Sequence, residues 1–144
     1  MQQIKVKIDG DEPKTIKPSG GQTTRSVLLI DDDEVFSTQL QAEIEKNGIK
    51  VYTANSGSDG IHMAKQFAPD LIVMDQFLPQ TDGTSVMNII HSTDWGKEQK
   101  ILTLTAYDIR DLRKVAQQED AIGYIVKTTE MPQIVSQITK LVTI

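Results

Sequence analysis

The segment Val27-Leu28-Leu29-Ile30-Asp31-Asp32-Asp33-Glu34 constrains the fold of this chain more than any other. Four consecutive apolar residues read as a strand buried on both faces, the pattern of a parallel sheet covered by helices on each side. The run stops at three aspartates. In open α/β sheets ligands bind outside the carboxyl ends of the strands, so acids at that point are placed to converge on a cation or a phosphate. Adjacent carboxylates repel one another, and a hard cation such as Mg²⁺ offsets that repulsion by taking one or two carboxylates plus water. An acidic turn capping the next helix would account for the same residues, so the other strand ends have to decide.

With 144 residues, of which 38% are hydrophobic, the chain has enough material for one domain with a real core. The balance of 20 acidic against 15 basic residues gives a net charge of −5, and no Lys/Arg block interrupts it, which argues against direct nucleic-acid binding through a basic face. Cysteine is absent, which excludes a disulfide framework, cysteine-based zinc sites and thiol catalysis. The opening Met1-Gln2-Gln3-Ile4-Lys5-Val6-Lys7 has no apolar core of signal-peptide length. No apolar run elsewhere approaches the roughly 18 residues that would span a bilayer, so membrane insertion is not expected and a cytoplasmic location is.

Two parts are visible along the chain. In residues 1–24, Ile4, Val6 and Ile8 alternate with Lys5, Lys7 and Asp9, a turn follows at Gly10-Asp11-Glu12-Pro13, and after Thr15-Ile16-Lys17 the pattern ends in Pro18-Ser19-Gly20-Gly21. This is either a short hairpin with a linker or a disordered extension, since a lone hairpin is marginal in water. From residue 25 to 144, short apolar runs alternate with helical periodicity, which predicts βα repeats and a doubly wound, flavodoxin-like (βα)5 domain. The expected parallel strands are Ser26–Ile30, Lys50–Ala54, Leu71–Met74, Ile101–Leu104 and Gly123–Val126. Phe36, Leu40 and Ile44, and later Ile134, Ile138 and Leu141, recur at spacings of three and four and mark single helix faces.

The third strand, like the first, ends in an acid, at Asp75. With parallel strands about 4.8 Å apart, adjacency would bring Asp75 close to Asp31 and Asp32. The fourth strand ends in Thr105-Ala106 and the fifth in Lys127. Each alone has an ordinary structural use as a cap, a turn residue or a solvated charge. Carboxylates, a hydroxyl and an ammonium at the carboxyl ends of four runs make a constellation.

At these residues the sequence resembles the receiver domain of two-component response regulators. The resemblance rests on Asp31-Asp32, on the frame Asp75, Pro79, Asp82 and Gly83, on Thr105-Ala106 and on Lys127, with intervals of 105 − 75 = 30 and 127 − 105 = 22 residues. It extends from residue 25 to about 142. It implies that Asp75 is a phosphoacceptor served by a histidine kinase or a histidine phosphotransfer protein. It also implies that Asp32, Asp75 and the main-chain carbonyl of Phe77 hold Mg²⁺, with Asp31 binding through water. Thr105 and Lys127 would contact the phosphoryl oxygens, and Thr105 with Tyr124 would form the conformational switch. Such a domain is not a conventional enzyme, although it catalyses its own phosphorylation and, slowly, its own dephosphorylation.

Two features depart from the family pattern or modulate it. Thr128 follows Lys127 where the family usually has proline with a cis bond, and a trans bond is expected here. Phe77 and Tyr107, two residues beyond Asp75 and Thr105, are large aromatics expected to control dephosphorylation. Two alternatives compete with a phosphorylatable receiver. Asp31-x-Asp33 also resembles the nucleophile motif of haloacid-dehalogenase-like phosphohydrolases, which would use Asp31, and a receiver fold could serve only as an interaction module without phosphotransfer. The first lacks a downstream acidic metal motif and leaves Asp75 idle; the second would suit a chain that had lost its acceptor. His62 and His91 read as surface residues and Trp95 as a loop anchor.

Overall fold

Residues 24–106 and 121–143 are described by the computed structural model of the chain. The strands are β1 (Ser26–Ile30), β2 (Lys50–Ala54), β3 (Leu71–Met74), β4 (Phe77–Leu78), β5 (Thr81–Asp82), β6 (Ile101–Thr105) and β7 (Gly123–Val126). The helices are α1 (Glu34–Glu45), α2 (Gly57–Phe67), α3 (Gly83–His91) and α4 (Met131–Thr143). β4 and β5 form a small antiparallel ribbon, while the other strands make a five-stranded sheet in the order β2-β1-β3-β6-β7. Every pairing in that sheet is parallel. The fourth expected βα crossover falls in residues 107–120, outside the described residues, as do residues 1–23 of the extension.

The apolar runs divide between two cores by strict alternation. Val27 and Leu29 of β1 pack with Leu40 and Ile44 of α1 and Ile134, Ile138 and Val142 of α4 on one face of the sheet. Leu28 and Ile30 pack with Ala64 of α2 and Val86, Met87 and Ile90 of α3 on the other. A strand with a layer of helix on each face has no solvent side, which is why its sequence shows no polar alternation. In α4 the buried set is Ile134, Ile138 and Val142, an i, i+4, i+8 row, with Leu141 only partly buried at its flank. Among the described residues no helix is long and apolar enough to cross a membrane.

Three helices begin on side-chain caps that the sequence supplies. Asp33 accepts the Phe36 N–H, Ser56 the Asp59 N–H and Asp82 the Ser85 N–H. Such a cap stabilises a helix by about 1 kcal/mol and, more to the point here, fixes where its first turn lies relative to the strand before it. The chain runs from β1 to β2 on one side and from β2 across β1 to β3 on the other. The crevice at this reversal is where a doubly wound sheet opens a ligand site.

Candidate functional site at the carboxyl edge of the sheet

Register determines which side chains meet. Ile30 pairs with Met74, and Thr105 with Val126, so Asp31 emerges beside Asp75, and Lys127 one step beyond Thr105 on the neighbouring strand. Backbone hydrogen bonds extend the sheet through these positions: Asp31 N–H to the Ala54 carbonyl at 3.0 Å, Asp75 N–H to Ile30 at 2.9 Å and Lys127 N–H to Thr105 at 2.7 Å. The site therefore stands directly on the hydrogen-bonded end of the sheet, and the Thr105 side chain is fully buried.

The three consecutive aspartates have three different environments. Asp31 is buried, with Oδ1 accepting the Asp33 N–H at 2.9 Å and Oδ2 lying 2.6 Å from Lys127 Nζ. Asp32 is exposed and turns into the cleft, where its carboxylate, with those of Asp31 and Asp75, forms a group whose oxygens all lie within 4.8 Å of one another. Asp33 caps α1. The run therefore both caps a helix, through Asp33, and brings two carboxylates, Asp31 and Asp32, to the acidic group.

Asp75 is tied at both oxygens. Oδ1 accepts the Phe77 N–H at 3.1 Å and Oδ2 faces Lys127 Nζ at 3.1 Å. The ribbon that follows returns the chain to Asp75: Gln80 takes a positive φ of 67° at the turn, Phe77 pairs with Asp82, and the Gly83 N–H donates to the Gln76 carbonyl at 2.7 Å. A Cβ at Gly83 would lie 2.8 Å from the Asp75 carbonyl oxygen, so the start of α3 can approach the acid this closely only as glycine. That closeness explains the Asp82-Gly83 pair. Gln76, buried beside the acid, donates to Thr84 Oγ1 at 2.9 Å and locks the same junction.

Lys127 closes the site from the β7 side. Its Nζ bridges Asp31 and Asp75 and lies 4.8 Å from the centroid of the Phe36 ring. The Lys127–Thr128 bond is trans, as expected from the missing proline. Tyr124, half-buried on β7, pairs in register with Thr103. Tyr107 lies outside the described residues. Phe77 stands 48% exposed at the mouth of the site. His62 is exposed on α2 and lines the same open cavity as Asp31 without joining the acidic group, whereas His91 is partly buried with Nε2 2.9 Å from the Gln99 carbonyl. Trp95 remains 39% exposed in the loop before β6.

Burial, the largest influence on Asp31, raises its carboxyl above the ordinary 3.8, against the opposing pull of Lys127 and the Asp33 N–H. For Lys127 burial acts in the other direction, but the bonds and charges of Asp31 and Asp75 together outweigh it and hold the ammonium above 10.5. Both groups thus bind their protons more tightly in the folded chain. The stabilisation linked to Lys127 is fully present below its unfolded value of 10.5 and is lost as pH rises through the higher folded value. Denaturant titrations between pH 9 and about 12 are expected to show a steeper fall in stability for the native chain than for Lys127→Met. Parallel curves would remove Lys127 as the source.

The donor set fits a hard divalent cation. Asp31 Oδ2 is buried, paired with the Lys127 ammonium at 2.6 Å, and faces two further carboxylates, one of them solvent-accessible, so the acidic group carries more negative charge than the lysine offsets. Among the described residues only carboxylate oxygens converge here as metal donors, without histidine or cysteine, the chemistry of Mg²⁺ or Ca²⁺ rather than of zinc or copper.

A doubly wound α/β sheet here carries, at its switch point, an acidic cluster closed by a lysine. The response regulator receiver domain family matches residues 27–139, and the chain belongs to that family, placing it in two-component signalling. It is similar to the transcriptional regulatory protein AfsQ1 of Streptomyces coelicolor, 37% identical over 105 residues that cover 73% of this chain and 45% of that protein. It is also similar to the chemotaxis protein CheY of Halobacterium salinarum, 29% identical over 119 residues, covering 83% of this chain and 98% of that protein. The chain spans about half the length of the curated relatives it matches first, 45% of AfsQ1 and 50% of the response regulator MprA of Mycobacterium leprae. Among solved structures, the chemotaxis response regulator CheY4 of Vibrio cholerae shares the fold, with a TM-score of 0.76 at 21% identity over 83% of this chain and 99% of that one.

Sequence reasoning missed Phe36. Its place in an apolar helix row concealed that its ring lies over the site lysine, and nothing in a helical period reports a contact to a residue on another strand.

Proposed function

We propose that this receiver, residues 25–144 with residues 1–24 as an extension, is phosphorylated on Asp75 by the phosphohistidine of a histidine kinase or histidine phosphotransfer protein. The observation that carries the reading is the meeting of the Asp75 carboxylate with an ammonium 3.1 Å away and two further carboxylates within 4.8 Å. A carboxylate oxygen of Asp75 attacks phosphorus, the phosphorus–nitrogen bond breaks, and the imidazole leaves with the electron pair. Asp32, Asp75 and the Phe77 carbonyl would hold Mg²⁺, with Asp31 acting through water. When bound, the ion supplies positive charge to the transferring phosphoryl oxygens.

The chain's own contribution is positioning and electrostatics. Lys127, already facing Asp75, offsets charge on a phosphoryl oxygen. The Phe77 N–H fixes the acceptor carboxylate by holding Oδ1, while Oδ2 accepts from the Lys127 ammonium. Thr105, at the end of β6, would donate to the phosphoryl group after transfer. Tyr124 on the adjacent strand would follow into the space so vacated, a population shift toward the packing the phosphate prefers.

The test is intact-mass spectrometry after incubation with acetyl phosphate. One phosphoryl adduct is expected with Mg²⁺, with none in EDTA and none in Asp75→Asn. An adduct that persists in Asp75→Asn would overturn the assignment. Under the phosphohydrolase alternative, Asp31→Asn would abolish turnover of a phosphate ester while Asp75→Asn spared it.

A further inference from the structure

We infer that Phe36 is a positioning residue that holds the Lys127 ammonium in place over Asp75. The inference rests on the proposed phosphoacceptor role and adds a residue to that site. A lysine side chain is a point charge on a flexible four-carbon stem, and its usefulness in phosphoryl transfer depends on where that charge is kept. The main chain of Lys127 is anchored by its N–H to the Thr105 carbonyl at 2.7 Å, but that bond leaves the side-chain torsions free. Two carboxylates attract Nζ, at 2.6 Å and 3.1 Å, and both are groups whose own charge changes partners as a cation and a phosphoryl group arrive. The Phe36 ring is the neighbour that does not change. Its face, 4.8 Å from Nζ to centroid, carries the negative part of the ring quadrupole and attracts a cation without competing for the phosphoryl oxygens.

The ring is placed by the same residues that make the acidic site. Asp31 Oδ1 accepts the Asp33 N–H at 2.9 Å, and Asp33 Oδ1 accepts the Phe36 N–H at 3.0 Å. Phe36 then lies over Lys127, which returns to Asp31 Oδ2 at 2.6 Å. This closed circuit joins the end of β1, the first turn of α1 and the end of β7. On its far side, Phe36 packs against the core that α1 shares with α4, which limits its own movement. Lys127 is only 12% exposed at its side chain, so the contact works in a partly desolvated setting where a cation–π attraction is strongest.

Two measurements on the full chain test this. In protein carrying ¹³C at the lysine ε-carbon, with the Lys127 signal assigned by its loss in Lys127→Arg and that of Lys50, which lies 5.4 Å over the Tyr52 ring, by its loss in Lys50→Arg, the Lys127 ε-methylene protons are expected upfield of the remaining lysines by ring current. That displacement should vanish in Phe36→Leu and return in Phe36→Tyr. The rate of phosphorylation by acetyl phosphate is expected to fall roughly three- to tenfold in Phe36→Leu and to recover in Phe36→Tyr, the range of one partly desolvated cation–π contact. Replacing Phe36 by phenylalanines of increasing ring fluorination, which weakens the ring face at nearly constant shape, should lower the rate stepwise. A rate that is flat across the fluorinated series, or a Phe36→Leu protein as fast as the native one, overturns the inference. An ordinary Lys127 chemical shift in the native chain does so as well. If the ring-current shift is present but no variant, native included, takes up phosphate, the phosphoacceptor reading fails while the hold of Phe36 on Lys127 stands.

Discussion

Replacing Lys127 by methionine is expected to slow phosphorylation of Asp75 by on the order of 100- to 1,000-fold, the usual cost of removing one preorganised donor from a developing oxyanion. Methionine keeps most of the volume and removes the charge. The same substitution leaves the buried Asp31 carboxylate without its ion pair, and removing one partner of a buried pair costs about 3 kcal/mol or more. The two losses separate experimentally. A divalent cation replaces the missing positive charge among the carboxylates, so saturating Mg²⁺ should restore most of the melting temperature through mass action. It should not restore the rate, because a bound cation cannot also stand where the ammonium meets the phosphoryl oxygen. Single-turnover rates and thermal melts, each with Mg²⁺ and with EDTA, check both halves. A variant whose rate recovers along with its stability would show Lys127 to be a structural counter-ion only.

The outcome for Lys127 follows from how the acidic run sorts itself, and that sorting was only half legible in the sequence. The strands were readable as short apolar runs, the inner three buried almost throughout and the edge strands only in part; Ser26–Ile30, Lys50–Ala54, Leu71–Met74 and Gly123–Val126 have the expected bounds, and the fourth gains one residue, Thr105. The meeting of Asp31, Asp32 and Asp75 was also readable, because parallel register carries residues at equivalent strand ends to the same edge. What differs among Asp31, Asp32 and Asp33 is the direction of each side chain through the turn, a matter of backbone dihedrals that residue type does not encode. The ribbon Phe77–Leu78 with Thr81–Asp82 was unreadable as strand, since two-residue strands have no period to detect. Phe36 was placed correctly on its helix face, packed with Leu40 and Ile44, but its second contact was not legible, because its ring at the first turn also reaches a charge 127 − 36 = 91 residues away.

Phe77 and Tyr107 are expected to set the lifetime of a phosphorylated state. Hydrolysis of an aspartyl phosphate needs a water aligned with the phosphorus–oxygen bond to the leaving carboxylate, and a polar side chain near the acceptor is the ordinary means of holding it. The ribbon instead carries Phe77 to the mouth of the site, its N–H engaged by Asp75 Oδ1 at 3.1 Å and its side chain half exposed. A phenyl ring offers water no hydrogen bond. Tyr107 stands two residues beyond Thr105 in sequence, outside the described residues, and its hydroxyl is at the far end of a rigid ring. Displacing a reacting water by about 1 Å can cost on the order of 100-fold in rate, so a phenyl ring at one place and a hydroxyl held at the far end of a ring at the other are expected to lengthen the lifetime. Phosphorylated protein is therefore expected to decay slowly after the donor is removed, a property suited to a signal that persists until a phosphatase or relay partner takes the phosphoryl group. Phe77→Asn combined with Tyr107→Glu is expected to decay faster by roughly ten- to 100-fold, with Phe77→Asn alone providing part of the gain. Following the phosphoprotein by intact mass over time decides the matter. Native protein that loses its phosphate as fast as the double variant would show that water reaches phosphorus past both rings, and that something other than Phe77 and Tyr107 sets the rate.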